Sequence, residues 1–234
     1  MTPAAHSVVR NEGAQQKSKV ANFNRLARLY RWMEYASFGP WLWWCRCTFL
    51  NELTDCRRAA IFGDGDGRFT ARLLSVNQVV EVDAVDASEA MLHSLMSRAS
   101  SNAGRVRVHC SDVRQWQPAS PSYDLIVTHF FLDCLTTGEV RALAAQMHRS
   151  VVPGAQWIVS EFVEPSGKVK HVVARAIIWL LYRAFGLLTG LEVRALPDLH
   201  TAMREAGFVL EKRRAWLGGL LISELWRAQR QANH

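Results

Sequence analysis

Hydrophobic positions between residues 59 and 163 alternate between short continuous runs and helical spacings. The runs predict buried strands, and the segments between them, in which apolar residues recur every three or four positions, predict helices. Five strands are predicted, at 59–62, 79–85, 106–108, 123–128 and 156–163, the last after a turn at Pro153-Gly154. Continuous apolar strands that alternate with helices are typical of a parallel sheet covered on both faces.

The segments on either side of this region have other patterns. Residues 22–53 have helical spacing, interrupted at Gly39-Pro40, and contain four of the nine tryptophans. The apolar stretch 171–191 is interrupted by Arg175 and Arg183, so it favours a helical cap over the site, and secondly a helix on a membrane surface, rather than a membrane span. A short helix ended by Gly207 and a hairpin of two strands, 208–214 and 220–226, complete the chain.

We therefore expect one α/β domain over residues 22–234, with a seven-stranded, mostly parallel sheet and an antiparallel C-terminal hairpin. A helical lid is predicted at 22–53 and 168–192. Residues 1–21 are polar and without pattern, which predicts a flexible arm.

Composition and charge narrow the classes of protein. The chain is 49% hydrophobic, which excludes wholesale disorder, and its five cysteines include no Cys-x-x-Cys pair, which favours reduced thiols in the cytoplasm over a zinc module. No pattern of a secretory signal is seen, and we expect a cytoplasmic protein. The net charge is +7, but residues 59–165 hold 8 basic and 12 acidic residues, so the middle of the chain favours a cationic ligand.

A glycine-rich turn, Gly63-Asp64-Gly65-Asp66-Gly67, follows the first predicted strand and precedes a helix. Alternate glycines let the backbone bend sharply and approach a ligand closely, and the amides that begin the helix favour a carboxylate or a phosphate. The pattern is not the dinucleotide motif G-x-G-x-x-G, because Arg68 stands where its last glycine belongs, and it lacks the Lys of a P-loop.

Carboxylates follow the next two strands. Asp86 ends the second strand about 20 residues after the glycine turn, where a carboxylate accepts both hydroxyls of a ribose; its alternative role is to cap the helix that starts near Ser88. Asp112 follows the third strand, where it reaches an adenine amino group or lies in a solvated turn.

With these motifs the chain resembles the class I S-adenosylmethionine-dependent methyltransferases over residues 20–230, and in style the small-molecule enzymes of quinone biosynthesis. The resemblance rests on Gly63–Gly67, Val85–Leu92, Ser111-Asp112 and Tyr123–Thr128. It implies a Rossmann-like fold and S-adenosylmethionine as the cofactor. The cofactor-binding residues that it implies are Tyr30, Gly63, Asp64, Gly65, Asp66, Gly67, Asp86, Ala87, Met91, Asp112, Val113 and His129.

One position departs from the family pattern. The family usually has an acidic residue two positions before the first glycine, and this chain has Ile61. We expect either that Asp64 and Asp66 take over its contact with the cofactor's ammonium group or that the cofactor binds more weakly.

Three residues near the ends of the fourth and fifth strands are candidates for catalysis: His129, Asp133 and Glu161. Side chains at this edge of an open α/β sheet face the ligand, and His129 has the most suitable ordinary pKa. Its alternative role is to position the turn through hydrogen bonds, and that of Asp133 is to cap a helix. No His spacing of a metal site is present, so we predict no metal.

The sequence thus predicts transfer of a methyl group to a small, fairly apolar acceptor at oxygen or activated carbon. Two alternatives stay open: a non-catalytic nucleoside-binding pseudo-enzyme, and an NAD(P)-dependent oxidoreductase. The scattered arginines do not favour nucleic acid as a partner, and peripheral contact with a membrane remains a candidate.

Overall fold

The computed structural model describes residues 40–118, 122–163 and 196–229. The strands are β1 (Arg58–Phe62), β2 (Glu81–Asp86), β3 (Val106–Cys110), β4 (Tyr123–His129), β5 (Val151–Phe162), β6 (Phe208–Trp216) and β7 (Leu221–Ala228). They form a seven-stranded sheet in the order β3-β2-β1-β4-β5-β7-β6. Strands β1 to β5 pair in parallel, and β7 is antiparallel to both β5 and β6. The predicted fold class is confirmed.

Helices cover both faces of this sheet. In the described residues they are α1 (Trp41–Arg46), α2 (Arg68–Val76), α3 (Glu89–Ala99), α4 (Thr137–Ser150) and α5 (Leu199–Glu205). Short 3-10 turns lie at Leu50–Glu52, Ser100–Arg105, Leu132–Cys134 and Leu217–Gly219. Apolar side chains of α2 and α3 pack on one face of the sheet, and those of α4 and α5 pack on the other. We call these the α2 face and the α4 face.

The helix starts follow from local sequence. Ser88 is the N-cap of α3, with its hydroxyl accepting the Met91 amide at 3.4 Å, and Thr136 and Glu139 form a capping box at the start of α4. Such caps satisfy amides that have no partner within the helix. Helix α1 ends at Arg46, earlier than the helical spacing of residues 41–50 predicts.

Strand β5 begins earlier than predicted. The Pro153-Gly154 turn was expected to precede it, but β5 starts at Val151 and runs through both residues. Its pairing with β4 is interrupted there, since Tyr123 is opposite Val151 and Leu125 is opposite Gln156. Gly154 has φ +83°, and the extra residues form a bulge, which lets the strand keep its pairing on either side of the proline.

A buried carboxylate, Asp83 of β2, links four neighbouring strands of the sheet. It accepts a hydrogen bond from the Tyr123 hydroxyl at 2.8 Å, and it lies 2.9 Å from His109 Nε2 and 3.4 Å from the Arg58 guanidinium. Burial alone would raise the pKa of Asp83, but the partners His109 and Tyr123 outweigh it and lower the pKa. Because its partners belong to β1, β3 and β4, this network stabilises the sheet.

Parts of the expected lid lie outside the described residues. These parts are residues 22–39 and 168–192, and the predicted arm 1–21 lies outside as well. No helix among the described residues is long and apolar enough to cross a membrane. No group of His, Cys, Asp and Glu within the same ranges is arranged to hold a metal ion.

Candidate functional site

The glycine turn lies at the carboxyl end of β1 and leads into α2. Gly65 and Gly67 have φ of +61° and +78°, a region that side chains other than glycine rarely adopt. A Cβ at Gly67 would come within 2.6 Å of Leu95 Cα, so this glycine lets α3 approach the turn. A Cβ at Gly65 would meet nothing within 4 Å, so the backbone of the turn is open on that side. A Cβ at Gly63 would lie 2.4 Å from the Phe131 ring, which covers the start of the turn.

The two aspartates of the turn already have partners. The Asp64 carboxylate accepts the Thr70 amide at 2.8 Å and the Thr70 hydroxyl at 2.7 Å, which stabilises the start of α2. Burial raises the pKa of Asp64, and the Thr70 hydrogen bonds oppose this rise. Asp66 forms ion pairs with Arg98 at 2.8 Å and Arg68 at 3.2 Å, and so ties the turn to α3. Their contact with a cofactor ammonium group stays a prediction.

Ile61, the departure from the family pattern, is a core residue. Its side chain is 1% exposed and packs among the apolar residues of the α2 face. An acidic side chain would be costly there without a partner, and the apolar residue instead stabilises the packing of β1 against the helices.

Asp86 lies at the end of β2, next to the glycine turn. Its Oδ1 accepts the Ser88 amide at 2.8 Å, while the Ser88 hydroxyl itself caps α3. Burial raises the pKa of Asp86 to about 6; the Ser88 hydrogen bond opposes this, and the nearby charge of Asp64 adds to it. Asp86 therefore lies near the turn with part of its hydrogen-bonding capacity in use. Of its predicted neighbours in the site, Ala87 is exposed and Met91 is half-buried in the first turn of α3.

Asp112 follows β3 and is held by an arginine. The Arg114 guanidinium donates to both carboxylate oxygens and also donates to Glu139 at 3.0 Å. These hydrogen bonds from Arg114 lower the pKa of Asp112. The next residue, Val113, is buried in the core of the α4 face. The Ser111 amide donates to the Asp86 carbonyl at 3.1 Å, which brings the ends of β2 and β3 together.

His129 ends β4 and is buried on the α2 face. Its ring contacts Phe69 edge-on at 4.5 Å between centroids, and its Nδ1 lies 2.9 Å from Ser160 Oγ. Burial, and secondly the positive charge of Arg46, lower the pKa of His129 well below its ordinary value, so the ring is neutral at pH 7. Its Nε2 is buried without a hydrogen-bond partner.

Glu161, at the end of β5, holds the turn that follows β4. Its side chain is buried, and Oε1 accepts the Phe131 amide at 3.1 Å and the Leu132 amide at 2.8 Å. Burial and the charge of Asp133 raise the pKa of Glu161 well above its ordinary value. Phe130, just before these amides, has φ +53°, a strained conformation for an aromatic residue. The carboxyl group of Glu161 therefore stabilises a strained turn.

The three predicted catalytic residues do not converge. His129 is opposite Ser160 in the sheet, and successive side chains of a strand point to opposite faces, so Glu161 points away from the face that holds His129. Asp133 lies in the 3-10 turn after β4, on the side of Glu161, and is less buried than either. Tyr30 lies outside the described residues.

The sequence analysis missed Arg46. It ends α1, lies over the Phe130 ring at 5.2 Å, and its positive charge lowers the pKa of both Asp64 and His129. It is therefore a cation close to the glycine turn. The sequence offered no signal for it, because its position depends on how α1 packs on the sheet.

The contrast between Gly65 and Gly67 leads to a prediction. Gly65→Ala should cost about 1 kcal/mol of stability from backbone strain, but its methyl group would project into the open side of the turn and abolish cofactor binding. Gly67→Ala carries the same kind of strain and also clashes with the α3 backbone, so it should be the less stable protein. Thermal unfolding and calorimetric titration of both variants check this, and equal cofactor binding by Gly65→Ala and wild type would contradict it.

Comparison with known proteins shows which family and which solved structures this chain is similar to. Residues 61–154 match the family model described as a methyltransferase domain. No curated protein matches the chain. Among solved structures, the chain is similar to the N-methyltransferase NodS from Bradyrhizobium japonicum WM9, with 15% identity, a TM-score of 0.57, and coverage of 79% of this chain and 95% of NodS.

Two further structures extend the comparison. An O-methyltransferase family protein from Burkholderia thailandensis has 13% identity and a TM-score of 0.69, with 92% of this chain and 63% of that chain covered. The [4+2]-cyclase SpnF has 12% identity and a TM-score of 0.58, with 78% and 81% covered. The chain thus spans nearly all of NodS but less than two thirds of the Burkholderia protein. Residues 61–154 thus match a methyltransferase domain, the sheet has the class I methyltransferase fold, and the predicted resemblance to that family is confirmed.

Proposed function

We propose that this protein transfers a methyl group from S-adenosylmethionine to a small, fairly apolar acceptor, at oxygen or activated carbon. The observation that carries the proposal is the place of Asp86 beside a glycine turn whose middle residue, Gly65, has open space above it. In an open α/β sheet this carboxyl edge is where ligands bind. Asp86 would accept the ribose hydroxyls, and Gly65 would let the methionine part approach the backbone.

The residues present fit the cofactor. A carboxylate has about four acceptor positions, so Asp86 can keep the Ser88 amide and still accept hydroxyls, and Asp112 can keep Arg114 and still accept an adenine amino group. The carboxylates of Asp64 and Asp86 favour a ligand that carries a sulfonium charge over its demethylated product. Arg46 is a suitable cation for the carboxylate of the methionine part.

S-adenosylmethionine supplies a methyl group on a positively charged sulfur. Transfer of that group would need a residue of this chain to take up the proton that the acceptor loses. Orientation contributes about 7–11 kcal/mol to such a step, so the protein's main task is to hold the two groups in line. Of the three predicted catalytic residues, Asp133 is the most accessible and is our candidate for the proton acceptor. Buried His129 and Glu161 would then position the loop ends.

The apolar character of the acceptor is inferred from the predicted lid segments 22–53 and 168–192, apart from Trp41 and Trp44, which are exposed. The neighbours named N-methyltransferase, O-methyltransferase and cyclase share one fold, so the fold does not select the acceptor atom. A pseudo-enzyme is the second candidate, and it is favoured by Ile61, which places an apolar core residue where the family has an acid.

Calorimetric titration with S-adenosylmethionine and with its demethylated product tests the proposal. We expect binding of both, and then transfer of a labelled methyl group to at least one member of a panel of phenols, quinols and amines. Binding without transfer to any acceptor would favour the pseudo-enzyme. Absence of binding to both ligands, together with a fluorescence change on adding NADH, would favour an oxidoreductase and contradict the proposal.

A further inference from the structure

An exposed group of large apolar side chains lies where α1 meets the turn between β6 and β7. Trp41 is 36% exposed, Trp44 is 47% exposed and Leu217 is 40% exposed. Trp41 contacts Trp44 at 5.0 Å and Trp216 at 5.9 Å between ring centroids, so the rings are contiguous. We call Trp41, Trp44, Trp216 and Leu217 the Trp surface.

Basic side chains extend from this surface along β6. Lys212, Arg214 and Trp216 are opposite Leu225, Ser223 and Leu221 of β7, and alternate residues of a strand share a face. Strand β6 is the edge of the sheet, and Lys212 and Arg214 are exposed. Lys212 pairs with Glu52 at 2.6 Å, whereas Arg214 has no ion pair with any described residue. The face therefore combines tryptophan with two exposed basic residues, of which Lys212 is paired and Arg214 has no ion pair with a described residue.

Leu217 is held outward by an unusual backbone. It has φ +50°, a conformation that favours glycine. Exposure of an apolar side chain to water gives no stabilisation that would offset this backbone strain. The next two residues are glycines, so a less strained turn with a polar residue was available to the chain. A protruding aliphatic residue beside tryptophans is suited to insertion into the hydrocarbon boundary of a membrane.

We propose that the Trp surface and the β6 residues Lys212 and Arg214 bind the surface of an anionic lipid bilayer. Tryptophan prefers the interface between headgroups and hydrocarbon, and each basic residue near an anionic surface adds about fivefold to the affinity. Single-stranded RNA also binds basic, aromatic surfaces, but it would stack on free ring faces and has no use for Leu217. Here the Trp41 and Trp44 rings pack edge to face with each other. The proposal does not depend on methyl transfer.

Co-sedimentation of the full chain with large vesicles tests this surface. We expect binding to vesicles with 30% phosphatidylglycerol in phosphatidylcholine, and at least tenfold weaker binding to phosphatidylcholine alone. Arg214→Glu should reduce binding to the anionic vesicles about tenfold. Leu217→Gly should reduce it severalfold without loss of folding, because glycine relieves the positive φ.

Matched controls lie elsewhere on the molecule. Arg149→Glu makes the same change of charge at an exposed position in α4, on the opposite face, and Val79→Ser removes an exposed apolar residue just before β2. Both should bind vesicles like the wild type. The proposal is overturned if the wild type fails to sediment with anionic vesicles, if the controls lose as much binding as the surface variants, or if a 20-nucleotide RNA binds and vesicles do not.

A titration with S-adenosylmethionine, run on the same preparations, separates this proposal from the proposed function. Arg214→Glu and Leu217→Gly should keep wild-type affinity for the cofactor, because neither residue lies near the glycine turn. If the wild type binds anionic vesicles but does not bind the cofactor, the proposed function is wrong and the membrane-binding proposal is supported.

Discussion

Asp86→Ala is expected to weaken the binding of S-adenosylmethionine at least a hundredfold. In the proposed site Asp86 would accept both ribose hydroxyls, and hydrogen bonds to a charged group contribute about 1.5–3 kcal/mol each. The variant loses both bonds, whereas Asp86→Asn keeps one oxygen for the Ser88 amide and should show an intermediate affinity. Calorimetric titration measures the three affinities.

The same carboxylate predicts a pH dependence. The pKa of Asp86 is raised to about 6, and only the ionised carboxylate accepts from both hydroxyls, so cofactor affinity should fall as the pH is lowered from 7 to 5. The effect of Asp86 on stability has the opposite sign. Because its pKa is higher in the folded than in the unfolded chain, Asp86 increases the free energy of unfolding as the pH falls from about 6 towards 4. Asp86→Asn should remove this part of both dependences.

A matched control for Asp86 is Asp55→Asn. Asp55 is an exposed carboxylate that precedes β1, at the amino end of the strands, whereas Asp86 lies at the carboxyl end of β2. It should bind the cofactor like the wild type at every pH. If Asp86→Ala and Asp55→Asn had equal affinities, the ribose contact assigned to Asp86 would be wrong, and with it the place of the adenosyl group.

Glu161→Ala is expected to destabilise the protein by about 2–4 kcal/mol. The change leaves the buried amides of Phe131 and Leu132 without their acceptor and opens a cavity beneath the strained Phe130. Because the Phe131 ring covers Gly63, we also expect weaker cofactor binding in this variant. Urea unfolding and calorimetric titration measure the two effects.

Glu161→Gln separates the hydrogen bonds from the charge. The amide oxygen can still accept both backbone amides, and glutamine resembles the protonated acid that burial favours. Since the folded pKa of Glu161 lies above its ordinary value of 4.5, wild-type stability from this group is present below pH 4.5 and is lost as the pH rises towards the folded pKa. The free energy of unfolding of Glu161→Gln minus that of the wild type should therefore be larger at pH 8 than at pH 5.

Two results would contradict this role for Glu161. One is a loss of stability in Glu161→Gln at pH 5 as large as that in Glu161→Ala, since the acceptor oxygen is retained there. The other is unchanged cofactor binding and unchanged unfolding in Glu161→Ala, which would mean that the turn after β4 is held by other contacts.

The sequence by itself determined the strands, the helix starts and the glycine turn. These features depend on neighbours within a few residues: apolar runs predict buried strands, Ser88 caps the helix that it begins, and Gly65 allows the turn. Two predicted boundaries were wrong. Strand β5 begins earlier, at Val151, because pairing with β4 extends it, and helix α1 ends earlier, at Arg46, where the chain packs on a distant segment.

Only the tertiary structure decided which side chains share a site. Asp66 pairs with Arg98, 32 positions away, and Glu161 accepts an amide 30 positions away, while the charge of Arg46, from another helix, lowers the pKa of Asp64. It also placed His129 and Glu161 on opposite faces, although the sequence grouped them. The physical reason is that local periodicity fixes each element, whereas strand register and helix packing, which involve residues far apart in the chain, decide which partners meet.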